Sequence, residues 1–335
     1  MSEPTIEPAS PVLRGAPEPG AVPRRWPPGR LSLAPMDGVT DWVYRELVTA
    51  RATPGTLAFC VSEFVRVVQR PVSLILLQRA YPEAARGGLT RAGVPVMLQL
   101  LGGSPGAIAE TARQAIELGA WGIDLNFGCP AKTVNRHDGG ATLLKAPERI
   151  ERIVSAVRAA VPRDRAVSVK VRLGWQSSDE VEAIARAAER GGASWLTVHG
   201  RTKLDMYGPP ADWSAIGRAR RAVGITVIAN GDLNAEGSIA RCAEQSGCDH
   251  FMLGRGAMGR PALFGAADGE HELAELLLEY MEALAAAGNS EGRQVGRVKQ
   301  WLALGKKANP ALAPMFEHIK LCETRTGLAE RLTET

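Results

Sequence analysis

A cysteine set between glycine and proline is the residue of this chain best placed to do chemistry. Cys129 lies in the turn Asn126-Phe127-Gly128-Cys129-Pro130, directly after the apolar run Trp121–Leu125. A thiol with an ordinary pKa near ~8.5 is mostly protonated at neutral pH and can act as a general acid. With a base beside it, the same thiol can act as a nucleophile. Free cysteines are usually inert core residues, a reading that suits Cys60 and Cys242. Cys129 differs from them by its polar turn just past the end of a strand. No Ser-His-Asp grouping and no metal-ligand cluster emerges as a rival, so no metal is expected.

Other polar residues end further apolar runs. Pro35-Met36-Asp37-Gly38 follows one run, Ser62-Glu63-Phe64 a second, and Gln99 ends a third. Lys170 and Arg172 end a fifth, His199 and Arg201 a sixth, Asn230-Gly231-Asp232 a seventh, and Gly254-Arg255-Gly256 an eighth. Lys170 sits within an apolar strand, where an unpaired ammonium is costly, so a charged or electron-rich partner is expected. Gln99 can both donate and accept, which suits the edge of a flavin pyrimidine ring; a structural hydrogen bond is equally open. His199 could orient a cofactor or satisfy polar groups at the strand ends. Asp37 could contact a ligand or cap the following helix.

These residues need a scaffold that gathers strand ends. The apolar runs are Leu31–Ala34, Leu57–Val61, Pro95–Leu100, Trp121–Leu125, Ala166–Val171, Trp195–Val198, Ile225–Ala229 and His250–Leu253. Between them lie segments with helical spacing, such as Ser104–Leu118, Pro147–Val161, Asp179–Arg190 and Ala235–Ser246. Continuous apolar runs alternating with helices predict buried parallel strands in βα units. Eight units in this length match an α/β fold of the (β/α)8 TIM-barrel type, whose chemistry sits at the C-terminal ends of the strands. A doubly wound sheet is the alternative, but it usually carries one glycine fingerprint after its first strand, whereas here polar turns follow many. Barrel loops after strands 7 and 8 frequently bind phosphate, and Gly231, Gly254, Gly256 and Arg255 occupy those turns.

Residues 1–28 are rich in Pro, Glu, Gly and Ala and predict a disordered extension, in which Arg24 and Arg25, with Arg30 just beyond, could touch a polyanion. Residues 29–266 form the predicted catalytic barrel. Residues 267–335 are predicted to be a small all-helical domain, with helices over His271–Ala287, Gly296–Lys307 and Ala311–Leu321. Lysines and arginines concentrate in its later part, at Arg293, Arg297, Lys299, Lys306, Lys307, Lys320 and Arg325, a plausible RNA-facing surface beside the plainer reading of a solvated face. The net charge is +4 over 335 residues, mildly basic and compatible with a polyanionic partner. No apolar stretch has the ~20 residues of a membrane span, and no secretory signal is visible. The five scattered cysteines show no disulfide framework, which predicts a reduced, cytoplasmic protein.

Taken together, the motifs resemble the tRNA-dihydrouridine synthases. The matching segments are Ala34–Asp41, Gln99, Asp124–Ala131, Val169–Arg172, Val198–Thr202, Ile228–Asp232 and Met252–Gly256. The resemblance implies a flavin mononucleotide enzyme that reduces the C5=C6 bond of a uridine in folded tRNA with NADPH. It puts the flavin contacts on Pro35, Met36, Asp37, Gln99, Lys170, His199, Asn230, Gly231, Asp232, Gly254 and Arg255. It makes Cys129 catalytic, protonating C5 as hydride reaches C6 from the flavin, and sets Asn126 and Tyr207 against the RNA or its uracil. Ser62–Val67 and Arg297–Trp301 look like the C-type branch, which modifies uridine 16; by that likeness Glu63, Arg297 and Lys299 orient the tRNA. The expected partner is tRNA, with no membrane and no metal, for a monomeric protein. Two other readings are a flavin reductase of a free pyrimidine, against which the basic C-terminus speaks, and a non-catalytic tRNA-binding protein, against which the full ring of strand-end residues speaks.

Overall fold

The apolar runs become strands buried on both faces, which is why they are continuous and not alternating. In the computed structural model, which describes residues 31–131, 135, 138–208, 210–266 and 269–334, nine strands form. They are β1 (Leu31–Leu33), β2 (Leu57–Val61), the two-residue β3 (Val65–Arg66), β4 (Val96–Leu101), β5 (Gly122–Asn126), β6 (Ala166–Arg172), β7 (Trp195–His199), β8 (Thr226–Asn230) and β9 (His250–Leu253). Every pairing is parallel, and the circuit β1-β2-β4-β5-β6-β7-β8-β9 closes back on β1. The fold is therefore the expected (β/α)8 TIM barrel. β3 pairs with the end of β4 outside the circuit and is too short to leave a pattern in the sequence. The expected extension over residues 1–28, and Arg30, lie outside the described residues.

Helices return the chain between strands: α1 (Trp42–Arg51), α2 (Leu74–Ala80), α3 (Pro105–Glu117), α4 (Pro147–Ala160), α5 (Val181–Arg190), α6 (Trp213–Ala222), α7 (Glu236–Ser246) and the short α8 (Arg255–Gly259). Their starts follow local chemistry. Asp41 Oδ1 accepts the Tyr44 amide at 2.9 Å to cap α1, so the capping role falls on Asp41 and leaves Asp37 exposed at the barrel mouth. Proline opens α3 and α4, where its missing N–H would have no partner in any case.

Side chains two residues apart share a face of a strand, so the barrel interior is layered. Phe59, Met97, Ala166 and Trp195 belong to an apolar cluster with Val61, Ile228 and Met252, and the Phe59 and Trp195 rings lie 5.3 Å apart. Two residues further along β4, β5 and β6 come Gln99, Asp124 and Ser168, all buried. Beyond these stand Asn126, Lys170, His199 and Asn230.

Four helices follow: α9 (Glu270–Ala286), α10 (Glu291–Ala308), α11 (Ala313–Ile319) and α12 (Arg325–Thr333). The last was not among the three expected, because its nine residues carry little periodicity. These helices share one apolar core with the barrel shell. Trp301 on α10 packs against Tyr44 of α1, ring centroids 4.6 Å apart, and donates Nε1 to the Met258 carbonyl of α8 at 3.0 Å. Among the described residues, no helix is long and apolar enough to cross a membrane.

Candidate active site

The turn that carries Cys129 is held from two sides. Asn126, the last residue of β5, accepts the Gly128 and Cys129 amides on its Oδ1 at 3.0 and 2.9 Å. Its Nδ2 donates to Gln99 Oε1 at 2.9 Å. From β6, Arg172 donates Nε to the Gly128 carbonyl at 2.9 Å. Cys129 itself is half-buried, unlike Cys60 and Cys242, which are fully covered with thiols pushed up to about 12. Burial also raises the Cys129 thiol; Asp37 across the mouth adds to this, while the Ala131 amide, Arg172 and Lys170 pull the other way. The balance keeps it protonated at neutral pH, the state a general acid requires.

Lys170 resolves its buried charge within the protein. Its Nζ donates to Asn230 Oδ1 at 3.1 Å, and Asn230 Nδ2 donates in turn to the Met252 carbonyl at 2.7 Å. Burial lowers the Lys170 pKa to about 8, with Arg172 adding to the effect and Asp124 and Cys129 opposing it. His199 is buried and stays neutral, its pKa well below the usual value through burial and the charges of Lys170, Arg172, Arg201 and Arg255. A guanidinium can only donate, so the 3.4 Å approach of Arg201 Nη1 to His199 Nε2 leaves the ring proton on Nδ1.

The turns after β8 and β9 are fastened by Asp232. Its Oδ2 accepts Arg201 Nη2 at 2.6 Å and the Ala211 amide at 2.9 Å, and its Oδ1 faces Arg255 Nη2 at 3.4 Å. Its carboxylate is thus engaged by protein cations. Gly231 has φ +115°, and a Cβ there would stand 2.8 Å from His199 Cδ2. At Gly256 a Cβ would stand 2.0 Å from the Leu233 carbonyl, so the two turns meet only because it is absent. Gly254 lies beside Met36, whose Sδ would be 3.4 Å from a Cβ at that position. Pro35 and Met36 are half-buried beneath exposed Asp37.

The residues expected to face RNA divide. Tyr207 is exposed on the loop after β7, its ring 5.2 Å from the Arg172 guanidinium and 6.2 Å from the His199 ring. Lys299 is half-buried on α10. Arg297 is 8% exposed, and its Nη2 lies on Asp41 Oδ2 at 2.8 Å; it joins α10 to the barrel. Glu63 accepts the Gly38 amide on Oε1 at 2.6 Å, bracing the β1 loop; burial, with Asp41 nearby, raises its pKa. Asp37, Asp41, Glu63 and Arg297 thus form one cluster between the β1 turn and α10, which sequence separation conceals.

Sequence reasoning gave no role to Arg172, Arg201 or Asp124. Arg172 ties three backbone carbonyls, Gly128 at 2.9 Å, Thr202 at 3.0 Å and Met206 at 2.7 Å, so one side chain couples the Cys129 turn to the Tyr207 loop. A buried arginine at a strand end was the available signal. Among the described residues, no group of three or more His, Cys, Asp or Glu side chains could hold a metal ion. The arrangement offers a protonated thiol, a half-buried cation near pKa 8 and a neutral imidazole around one mouth, a set able to protonate an enolate-like carbon while stabilising negative charge.

Comparison with known proteins agrees with that chemistry. Residues 32–324 match the family model for dihydrouridine synthase. The chain is 43% identical over 309 residues to a tRNA-dihydrouridine(16) synthase of Pasteurella multocida, covering 90% of this chain and 98% of that one. It is 41% identical over 310 residues to the tRNA-dihydrouridine(16) synthase of Escherichia coli K12, covering 90% and 97%. Among solved structures, the histamine dehydrogenase of a Rhizobium species shares the fold with a TM-score of 0.53 and 12% identity, over 76% of this chain and 49% of that one. The half-buried thiol in its braced turn, the ring of strand-end residues and the match over nearly the whole described chain lead to one conclusion: this protein belongs to the dihydrouridine synthase family.

Proposed function

We propose that this chain is a tRNA-dihydrouridine synthase of the C-type, reducing the C5=C6 bond of uridine 16 in the tRNA D-loop with flavin mononucleotide and NADPH. The observation that carries the reading is Cys129, a protonated, half-buried thiol whose turn is tied down by Asn126 and Arg172 at the barrel mouth. The target position rests on relatives 41% and 43% identical, both named for uridine 16.

The residues at the mouth fit a flavin. Lys170 remains cationic at neutral pH beside an electron-rich ring. Gln99 has a second amide N–H and a second carbonyl lone pair beyond its contacts with Asp124 and Asn126. Neutral His199, Asn230, Pro35, Met36 and Asp37 complete the walls. Gly231, Gly254 and Arg255, with Arg255 steadied by Asp232, suit the phosphate. Bound flavin supplies the hydride that C6 of uracil receives, after reduction by NADPH.

Cys129 would supply the proton that C5 takes up, leaving a thiolate. Asn126 keeps one N–H beyond its contact with Gln99 for a uracil carbonyl. Lys170, close to pKa 8, offsets negative charge as it develops on the uracil. The uridine must leave its stack to enter the mouth, at a cost of about a few kcal/mol, less in a loop. Contacts from Tyr207, Lys299 and the other lysines and arginines that follow residue 290 offset this and make binding salt-sensitive. Glu63 and Arg297 act on RNA orientation by fixing the β1 turn against α10. Such an enzyme works in the cytoplasm, where its substrate is.

The test is a map of dihydrouridine in tRNA from cells lacking this protein, with and without a plasmid copy. Loss confined to position 16 and restored by the copy is the expected result. An intact position 16 would overturn the assignment.

A further inference from the structure

Asp124 lies in the barrel interior beneath the mouth, 1% exposed, and the chemistry above does not use it. Both of its oxygens accept: Ser168 Oγ donates to Oδ1 at 2.5 Å, and Gln99 Nε2 donates to Oδ2 at 2.7 Å. Burial raises the Asp124 carboxyl, while Ser168, Gln99 and Lys170 act to lower it; as the carboxylate that both neighbours donate to, it only accepts, and Gln99 turns its nitrogen to Asp124 and its oxygen the other way. That oxygen accepts Asn126 Nδ2 at 2.9 Å. Asn126 is thereby turned with Oδ1 towards the Gly128 and Cys129 amides, at 3.0 and 2.9 Å. The links run in one direction, from a buried carboxylate to the N–H of the residue that bears the thiol. Reversing Gln99 would set its N–H against that of Asn126 and its oxygen against Asp124 in a buried place, where donors without acceptors are strongly disfavoured; reversing Asn126 would set N–H against N–H at the half-buried turn.

We propose that Asp124 is a positioning residue, the fixed acceptor that sets the direction of the Gln99–Asn126 amide chain. Through that chain it places the Cys129 thiol. The proposal rests on the reading of Cys129 as proton donor. It adds a residue two positions before Asn126 whose contribution passes entirely through other side chains.

The experiment compares wild-type holoenzyme with Asp124→Ala and Asp124→Asn. The amide introduced by the second variant can still offer an oxygen to Gln99 while its nitrogen faces the Ser168 hydroxyl, which can accept. Turnover on unmodified tRNA, Tm, and the pH profile of Cys129 alkylation by iodoacetamide, located by mass spectrometry, are read for each. In Asp124→Ala, kcat is expected to fall by on the order of tenfold to a hundredfold with little change in KM for tRNA, the loss typical of a misplaced group. Its alkylation midpoint should move down towards the ordinary thiol value, because the loosened turn exposes the sulfur. Asp124→Asn should recover most of both losses. Should Asp124→Ala not fold, Asp124→Ser, polar but too short to reach Gln99, carries the same expectation. The proposal is overturned if the truncated variant matches wild type in turnover and midpoint, or if Asp124→Asn is as impaired as Asp124→Ala. The alkylation profile needs no catalysis. A wild-type enzyme forming no dihydrouridine would sink the functional reading, while the profile would still judge the amide chain.

Discussion

Arg172 holds the carbonyl of Gly128, the residue before Cys129, with an Nε–O distance of 2.9 Å. The same guanidinium donates Nη1 to the Thr202 and Met206 carbonyls, so one side chain ties the Cys129 turn to the Tyr207 loop. Lysine has no planar fork and can serve only one of these carbonyls well. Arg172→Lys is therefore expected to lower kcat by about tenfold or more in steady-state assays. The protein should remain folded and flavin-bound.

The two C-terminal cations expected to meet RNA should separate in experiment. Arg297 forms a largely buried pair with Asp41, and removing one partner of such a pair costs about 3–5 kcal/mol. Arg297→Ala should show that loss in urea unfolding. Lys299→Ala should leave unfolding unchanged and weaken tRNA binding, with the slope of log affinity against log salt reduced by about one.

Much of the fold was legible because buried parallel strands are written as unbroken apolar runs. The predicted ends of several strands fell one residue short, since Asn126, Arg172, His199 and Asn230 are polar yet still in the strand. They point into the mouth, where the site needs them. The turn that carries Cys129 past the end of β5 was legible from its sequence. The rest depended on contacts far apart in the chain. Nothing local in Arg297 announces that its partner is Asp41, and nothing in Asp232 announces that its carboxylate holds Arg201 and Arg255. Asp37 was open as a ligand contact or a helix cap; the cap lies at Asp41, because the β1 turn runs on to Thr40 before α1 begins.

Gly231 should be intolerant of any side chain. Its φ of +115° and the 2.8 Å approach to His199 Cδ2 oppose even a methyl group. Gly231→Ala is expected to cost about 1–3 kcal/mol of stability. Purified protein should carry less flavin, read from the visible absorbance per chain.

Lys170 predicts a pH dependence with opposite signs for ligand and fold. Its ammonium is lost as pH rises through about 8, so flavin affinity should fall across that range. The unfolded chain holds the same proton up to ~10.4. Between the two values the unfolded state binds more protons, and the Lys170 contribution makes apo stability rise with pH. Both slopes should disappear in Lys170→Met, as measured by flavin titration and by urea unfolding of the apo protein.

The most direct test is Cys129→Ala, loaded with flavin, reduced by NADPH and mixed with unmodified tRNA in a single-turnover experiment. Normal flavin content and normal tRNA affinity are expected, with dihydrouridine formation reduced by at least on the order of a hundredfold, within the range for loss of a general acid. Dihydrouridine appearing at the wild-type rate would contradict the role of Cys129.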